Sequence, residues 1–320
     1  MKSTVLITGG LGYVGGRIAR EMVARDGLAV RIGTSRPGAS LPSCLDGALL
    51  TPLDLFDDAS LDAACTGVDC IVHLAALNEN DSVANPSQAL LVNGLGTLKL
   101  LQSAERDGVS RFIYFSTAHV YGAPLEGIIT EQTLPRPVHP YAITHRIAED
   151  FVLAAHDKKT LTGIVVRLSN GFGAPHVSTV NRWTLLVNDL CHQAVTTGEL
   201  VLKSHGLQRR DFIPLSDVAR AVIHLQDLPV TQIGDGLYNL GGEAPLQIVQ
   251  MTELIADRCE AVLGHRPTII RPPASPGDHD IPLDYRIDKL KQTGFALTGA
   301  LADEIDATLR LCRNAFESRP

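Results

Sequence analysis

Gly9, Gly12 and Gly15 stand at three-residue spacing in the run Val5-Leu6-Ile7-Thr8-Gly9-Gly10-Leu11-Gly12-Tyr13-Val14-Gly15-Gly16. Glycines so placed let a backbone come close to a pyrophosphate. Thr4 to Thr8 read as a buried strand, the glycines as a tight turn, and Ile18 to Ala24 as the following helix, whose free N–H groups and dipole favour negative charge. With Tyr13 and Val14 at the helix start, the run predicts a dinucleotide site; a plain strand-to-helix turn would require fewer glycines. A second cluster, Thr34-Ser35-Arg36, ends the next strand pattern. An acidic residue there would bind a ribose 2′-hydroxyl and repel a 2′-phosphate, whereas hydroxyls and a guanidinium suit a phosphate dianion. NADP(H) is favoured over NAD(H) on this basis, with Arg36 as a solvated loop residue the competing reading. Tyr141 follows Pro140, which places it in the first turn of a helix, where its phenol can project into a cleft. His145 lies four residues on, on the same helix face.

The elements that must position these groups follow from apolar patterning. Val30 to Gly33, Ala48 to Leu50, Cys70 to Ala75, Phe112 to Ser116 and Gly163 to Leu168 read as buried strands separated by amphipathic segments. That pattern predicts an α/β fold, a Rossmann-type doubly wound parallel sheet, with a smaller C-terminal α/β substrate lobe. After Arg167 the rhythm loosens at Gly171, Gly173 and Pro175, and isolated helices such as Ile248 to Cys259 follow. Phe212 to Pro214, Asp217 to Leu225 and Leu237 to Leu240 again read as strand, helix and strand. The division expected is therefore a dinucleotide-binding domain over 1–170, to which the chain returns around 211–242, and a substrate lobe from 171–210 and 243–320.

The chain has 320 residues, 45% of them hydrophobic, and a formal charge of −7 without any basic run. This argues against a nucleic-acid or membrane-surface role and for a small-molecule partner. No apolar segment approaches the roughly 18 residues a membrane span needs, and the sequence opens directly on a strand, so a cytoplasmic location is expected. Six cysteines without a C-x-x-C pair and eleven histidines without an H-E-x-x-H array point to reduced structural thiols and no metal centre.

The ordered stretches Thr8 to Gly15, Asp54-Leu55, His73-Leu74-Ala75-Ala76, Asn93 with Gly96-Thr97, Phe115 to Gly122, Tyr141, Arg167 with Asn170, and Arg210-Asp211-Phe212-Ile213 with Asp217-Val218-Ala219 resemble the extended short-chain dehydrogenase/reductase family. That group holds nucleotide-sugar epimerases, dehydratases and reductases, and the resemblance spans nearly the whole chain. It implies that Asp54, Leu55, Leu74, Ala75, Ala76 and Asn93 line the cofactor. It also implies that Thr117 hydrogen-bonds the reacting oxygen, and that Tyr141 takes or gives the proton while the nicotinamide carries the hydride. On the substrate side it implies that Asn170 and Arg210 hold a nucleotide diphosphate, with Arg209 adding positive charge. The family often has an arginine before Pro276-Gly277-Asp278, where this chain has Ser275; Arg271 is the expected substitute.

The departure is His145, where the family carries a lysine that holds the nicotinamide ribose and lowers the tyrosine pKa. Free histidine, with a pKa of about 6.5, is mostly neutral where lysine is charged. A neutral ring can still hydrogen-bond a ribose hydroxyl, but it stabilises tyrosinate less. His119, two residues after Thr117, is the nearest alternative proton donor. Dehydratases carry Asp-Glu directly after the threonine as acid and base, and here Ala118-His119 stands instead, which speaks against a 4,6-dehydratase. The expectation is a nucleotide-sugar epimerase working through a transient keto-sugar. An NADPH-dependent keto-sugar reductase is the alternative, and a catalytically weakened nucleotide-binding protein is a second one. Helices near Thr97 to Arg106 and Ala142 to Ala155 commonly pair in this family as a homodimer interface, and their apolar faces, Leu98, Leu101 and Ala104 with Ile147, Phe151 and Ala154, read either as that interface or as ordinary core stripes. Loops at Asn78 to Ala84 and Val177 to Arg182 are expected to decide the sugar.

Overall fold

A computed structural model of the chain describes residues 2–275 and 279–316. Seven parallel strands form the central sheet: β1 (Ser3–Thr8), β2 (Leu28–Thr34), β3 (Leu49–Pro52), β4 (Cys70–His73), β5 (Arg111–Thr117), β7 (Thr162–Leu168) and β11 (Leu237–Leu240), with β6 (Gly127–Ile129) a short strand outside it. Their order is β11-β7-β5-β4-β1-β2-β3, with the chain reversing direction at β1, the place where doubly wound sheets bind ligands. Side chains alternate across the strands. Val5, Ile7, Val72, Ile113 and Val166 face a core completed by Ile18, Ala19 and Met22 of α1 (Tyr13–Val23) and by Val218, Val222 and Leu225 of α8 (Leu215–Asp227). Leu6, Ile71, Phe112, Tyr114 and Val165 face the opposite core, covered by α2 (Asp58–Cys65), α5 (Thr97–Arg106) and α6 (Pro140–Asp157). Burial on both faces explains why the strands read as continuous apolar runs rather than alternating ones.

The expected strand at Ala48 to Leu50 forms, but it is not buried: β3 is the sheet edge and Leu49 is 65% exposed. Arg111, buried at the start of β5, donates to the carbonyls of Leu225 and Leu228 at 2.7 Å, which satisfies the C-terminal end of α8 and places a cation on its dipole.

A second core gathers Phe172, Leu190, Cys191, Phe212, Met251, Ile255, Cys259, Ile305 and Leu309. It joins α7 (Leu186–Thr196), α9 (Ile248–Leu263) and α11 (Leu301–Phe316) to a three-stranded sheet of β8 (Asn170–Phe172), β10 (Arg209–Pro214) and β12 (Pro245–Gln247). The stretch Phe212 to Pro214 therefore belongs to this small sheet, paired with β8 and not with the central sheet. α8 and β11 return to the first core, joined by Ile213 of β10 and, further along the chain, by Ile287, Leu290 and Phe295. Asp211 explains the crossing: fully buried, it accepts hydrogen bonds from Ser169 Oγ and from the Gly242 and Ala244 amides, tying β10 to the chain that leaves β11. All six cysteines are free thiols. Among the described residues no helix is long and apolar enough to cross a membrane, and no group of His, Cys, Asp or Glu is arranged to hold a metal ion.

Candidate active site

The glycine turn between β1 and α1 is pressed against the end of β4. Gly9 has φ +70°, and a Cβ added to it would lie 3.0 Å from the backbone of Leu74 and Ala75. A Cβ on Gly15 would run into the Gly9 carbonyl. Gly12 is the N-cap of α1 and no side chain caps the helix, so its first N–H groups are left for an anion. A backbone cradle that any Cβ would fill, opening on uncapped amides, fits the pyrophosphate of a dinucleotide. Val14 continues the same helix start. Tyr13 contributes only its backbone there: its hydroxyl turns away to the Gly173 carbonyl at 2.9 Å and Asn188 Oδ1 at 3.2 Å.

Around this cradle, Thr34 Oγ1 accepts from the Arg36 amide at 3.2 Å. Ser35 and Arg36 are exposed, and among the described residues the Arg36 guanidinium has no ionic partner. Asp54 Oδ1 caps the Phe56 amide at 2.9 Å, Leu55 packs beneath it in the core, and Ala76 is exposed beside Ala75. Asn93 is different in kind. It is fully buried, and its carboxamide accepts from the Leu77 amide at 2.8 Å and donates to Thr144 Oγ1 at 3.0 Å. It braces the loop after β4 against α6 from within a π-helical turn over Leu90–Gly96.

Thr117 ends β5, and Tyr141 and His145 occupy the first turns of α6, where Pro140 supplies the starting dihedral angle and His139 Nδ1 caps the Ala142 amide. Tyr141 and His145 meet edge to face with ring centroids 4.4 Å apart, and His139 stacks on Tyr141 at 6.1 Å. Burial pushes the Tyr141 phenol up to about 12; Glu79 adds to that, while Arg182 and a hydrogen bond with Thr117 oppose it. Burial alone holds His145 down to about 3, so the ring is neutral at physiological pH. Its Nδ1 is 2.6 Å from the Tyr114 hydroxyl, and its buried Nε2 has no partner. His119 is half-buried, with its ring 5.4 Å from His139 and its Nδ1 unpartnered; burial lowers its pKa. Behind the site Glu149 accepts from Ser116 Oγ and, with both oxygens, from Arg167. The fully buried Glu149 thereby locks the ends of β5 and β7 to α6.

On the substrate side several of the expected residues already have protein partners. Asn170 Nδ2 donates to the Asp211 carbonyl at 3.0 Å. Arg210 is exposed, with Glu79 as a charged neighbour. Arg209 is not free for a diphosphate: both arms of its guanidinium hold Asp280 at 2.6 Å. Arg271 donates to the His205 carbonyl at 2.6 Å from an exposed position after β13 (Thr268–Ile270). Pro276, Gly277 and Asp278 lie outside the described residues. Four participants were missed in the sequence: Glu79, His139, Tyr114 and Arg182. Glu79 opens α3 (Glu79–Ala84), its Oε1 lies 3.8 Å from His139 Nε2, and its charge reaches Tyr141, His119 and Arg210. Glu79 and Arg182 belong to the two loops expected to decide the sugar, which was the signal available.

A model of the NAD dependent epimerase/dehydratase family matches residues 5–241. The chain belongs to that family. It is 27% identical over 325 residues to a dTDP-glucose 4,6-dehydratase of Streptomyces niveus, covering 97% of this chain and 93% of the relative. In fold it is similar to the UDP-glucose 4-epimerase of Thermotoga maritima, solved with UDP-glucose (TM-score 0.81, 22% identity, 97% and 99% of the two chains). It is similar too to RMD from Pseudomonas aeruginosa, solved with NADPH (TM-score 0.76, 22% identity, 97% and 99%). The family member described here is an enzyme of the extended short-chain dehydrogenase/reductase type.

Proposed function

We propose that this enzyme is an NAD(P)-dependent nucleotide-sugar epimerase acting through a transient keto-sugar. The observation that carries the reading is the placement of Thr117 at the end of β5 and of Tyr141 in the first turn of α6, at the same edge of the central sheet as the glycine turn after β1, with Ala118 following the threonine. Water elimination from a keto-sugar would call for an acid and a base at that point, and Ala118-His119 supplies no carboxylate. Thr117 orients the reacting oxygen, and Tyr141 takes the proton from the sugar hydroxyl and gives it back when the keto-sugar is reduced; a dinucleotide held in the cradle would supply the hydride acceptor and donor. Gly9, Gly12, Gly15 and the backbone of Tyr13 and Val14 hold the pyrophosphate. Thr34, Ser35 and Arg36 hold the adenosine ribose, and the unpaired guanidinium of Arg36 favours NADP. Asp54, Leu55 and Leu74 to Ala76 line the rest of the cofactor, Asn93 shapes its wall, and His145 faces the nicotinamide ribose. A nucleoside diphosphate sugar lies opposite, met by His119, Asn170, Arg210 and Arg271. In this reading residues 1–170, with α8 and β11, carry the cofactor, and 171–210 with 243–320 carry the substrate.

A keto-sugar reductase is the second reading, favoured by Arg36 and by a Tyr141 phenol that burial keeps protonated and ready to donate. Nucleotide-sugar turnover with catalytic amounts of dinucleotide supports the epimerase, and stoichiometric oxidation of NADPH sinks it. Tyr141→Phe is expected to lower kcat about a hundredfold or more while dinucleotide affinity persists; an unaltered turnover contradicts both enzymatic readings.

A further inference from the structure

The Tyr114–His145 contact has no counterpart in the proton transfers proposed above, yet it decides what His145 offers to a ligand. Both side chains are buried, at 2% and 3% exposure. Tyr114 lies on β5 and His145 on α6, with oxygen and Nδ1 2.6 Å apart. A phenol carries one proton and a neutral imidazole carries one, so two arrangements exist. In one, the phenol donates to Nδ1 and the ring proton sits on Nε2. In the other, Nδ1–H donates to the phenol oxygen, and the phenol proton is left without an acceptor, because the Tyr114 hydroxyl has no second partner among the described residues. That donor stays unpaired whether or not a ligand is bound, so once a ligand pairs with the other ring nitrogen this arrangement is disfavoured about five- to a hundredfold. The first arrangement leaves one unpaired proton too, on Nε2, but Nε2 belongs to the ring that touches Tyr141 beside the cofactor cradle.

We propose that Tyr114 is a positioning residue that fixes His145 as the Nε2–H tautomer, so that the site meets the nicotinamide ribose with a neutral, directed hydrogen-bond donor in place of a cation. The proposal rests on the functional reading above. The groups that face the ring agree with a neutral state. Tyr141 and Tyr114 are phenols, and His73 on β4 lies behind Tyr114 with ring centroids 5.8 Å apart. Glu149, the nearest carboxylate along α6, already has both oxygens committed to Arg167. Glu79 of α3 acts on Tyr141, and among the described residues no carboxylate is bonded to the imidazole. A lysine swings on a flexible stem, whereas this ring is held at one nitrogen and presents the other.

The test is the ring's own nitrogen spectrum. In ¹⁵N-labelled enzyme saturated with dinucleotide, with His145 assigned by its loss in His145→Gln, the expected signature is a protonated Nε2 and a bare Nδ1, unchanged from about pH 5 to about pH 8. In Tyr114→Phe the signature shifts to a mixture of tautomers, and dinucleotide affinity falls about tenfold. His145→Gln, whose amide nitrogen stands where Nε2 stood, retains more dinucleotide affinity than His145→Asn, whose amide stands at Nδ1. A wild-type spectrum showing Nδ1–H, or a ring that charges within that pH range, overturns the inference alone. Wild-type enzyme that binds no dinucleotide overturns the functional reading and the role of Nε2–H together.

Discussion

At position 145 burial decides what a histidine can be. The ring sits between β5 and α6 without a carboxylate partner, and its pKa is held down to about 3; His73, wedged between Thr8 and Thr97 hydroxyls at 2.6 and 2.9 Å, is held down to about 3 as well. Both are neutral in the folded enzyme at neutral pH. In the unfolded chain they take up protons below about pH 6.5, so their contribution is complete above that pH and is lost as pH falls toward the folded values. Each unit of pH in that window costs about 1.4 kcal/mol per ring. Urea unfolding followed from about pH 7 to about pH 5 should show stability falling with that slope, and falling less steeply in His145→Gln; equal slopes would contradict the burial argument. Residues whose role is local were legible from the sequence. Gly9 and Gly15 are dictated by contacts within their own turn and the adjacent strand end. Arg209 was misread because its partner, Asp280, is 71 positions away.

At the scale of elements, α1 has two duties. Its N-terminus forms the glycine cradle, and one turn apart on a single face Tyr13 and Arg17 reach across to α7, to the loop after β8 and to α11. Arg17 donates to the Ala174 carbonyl at 2.8 Å and forms a buried ion pair with Glu304 of α11, whose Oε2 also accepts from the Ser216 amide. Removing one partner leaves a charge buried at about 5% exposure. Glu304→Ala should therefore cost about 3–5 kcal/mol. The double replacement Arg17→Met with Glu304→Leu should recover much of that, because no charge is then stranded. Thermal unfolding of the three proteins measures it, and a Glu304→Ala loss under about 1 kcal/mol would show the pair to be dispensable. The helix itself is readable from its periodicity, but its joint to α11 is not, since Glu304 carries no pattern that names a partner 287 residues away.

For the whole molecule, the apolar faces that remain exposed differ from those first expected. Leu101 and Ala104 are spent in the core under β4 and β5. Leu91, Leu95, Ile143 and Phe151, each about 40% exposed, form the stripe left over on the π-helical turn and α6. We propose that this stripe closes a homodimer, because four large apolar side chains on two neighbouring helices are costly to leave in water. Sedimentation should give twice the chain mass for the wild type and the single mass for Leu95→Glu with Phe151→Glu; a monomeric wild type would discard the interface. The sequence by itself determined the parallel sheet, the dinucleotide turn and the order of chemistry-bearing residues, since those depend on periodicity and on short-range sterics. Tertiary structure alone decided that β10 pairs outside the central sheet, that Asn93 braces the loop after β4 against α6, and that Arg209 is neutralised. It also brought Tyr114, Glu79, His139 and Arg182 around Tyr141, because pairing and burial between distant segments are set by packing and leave no periodic mark on the chain.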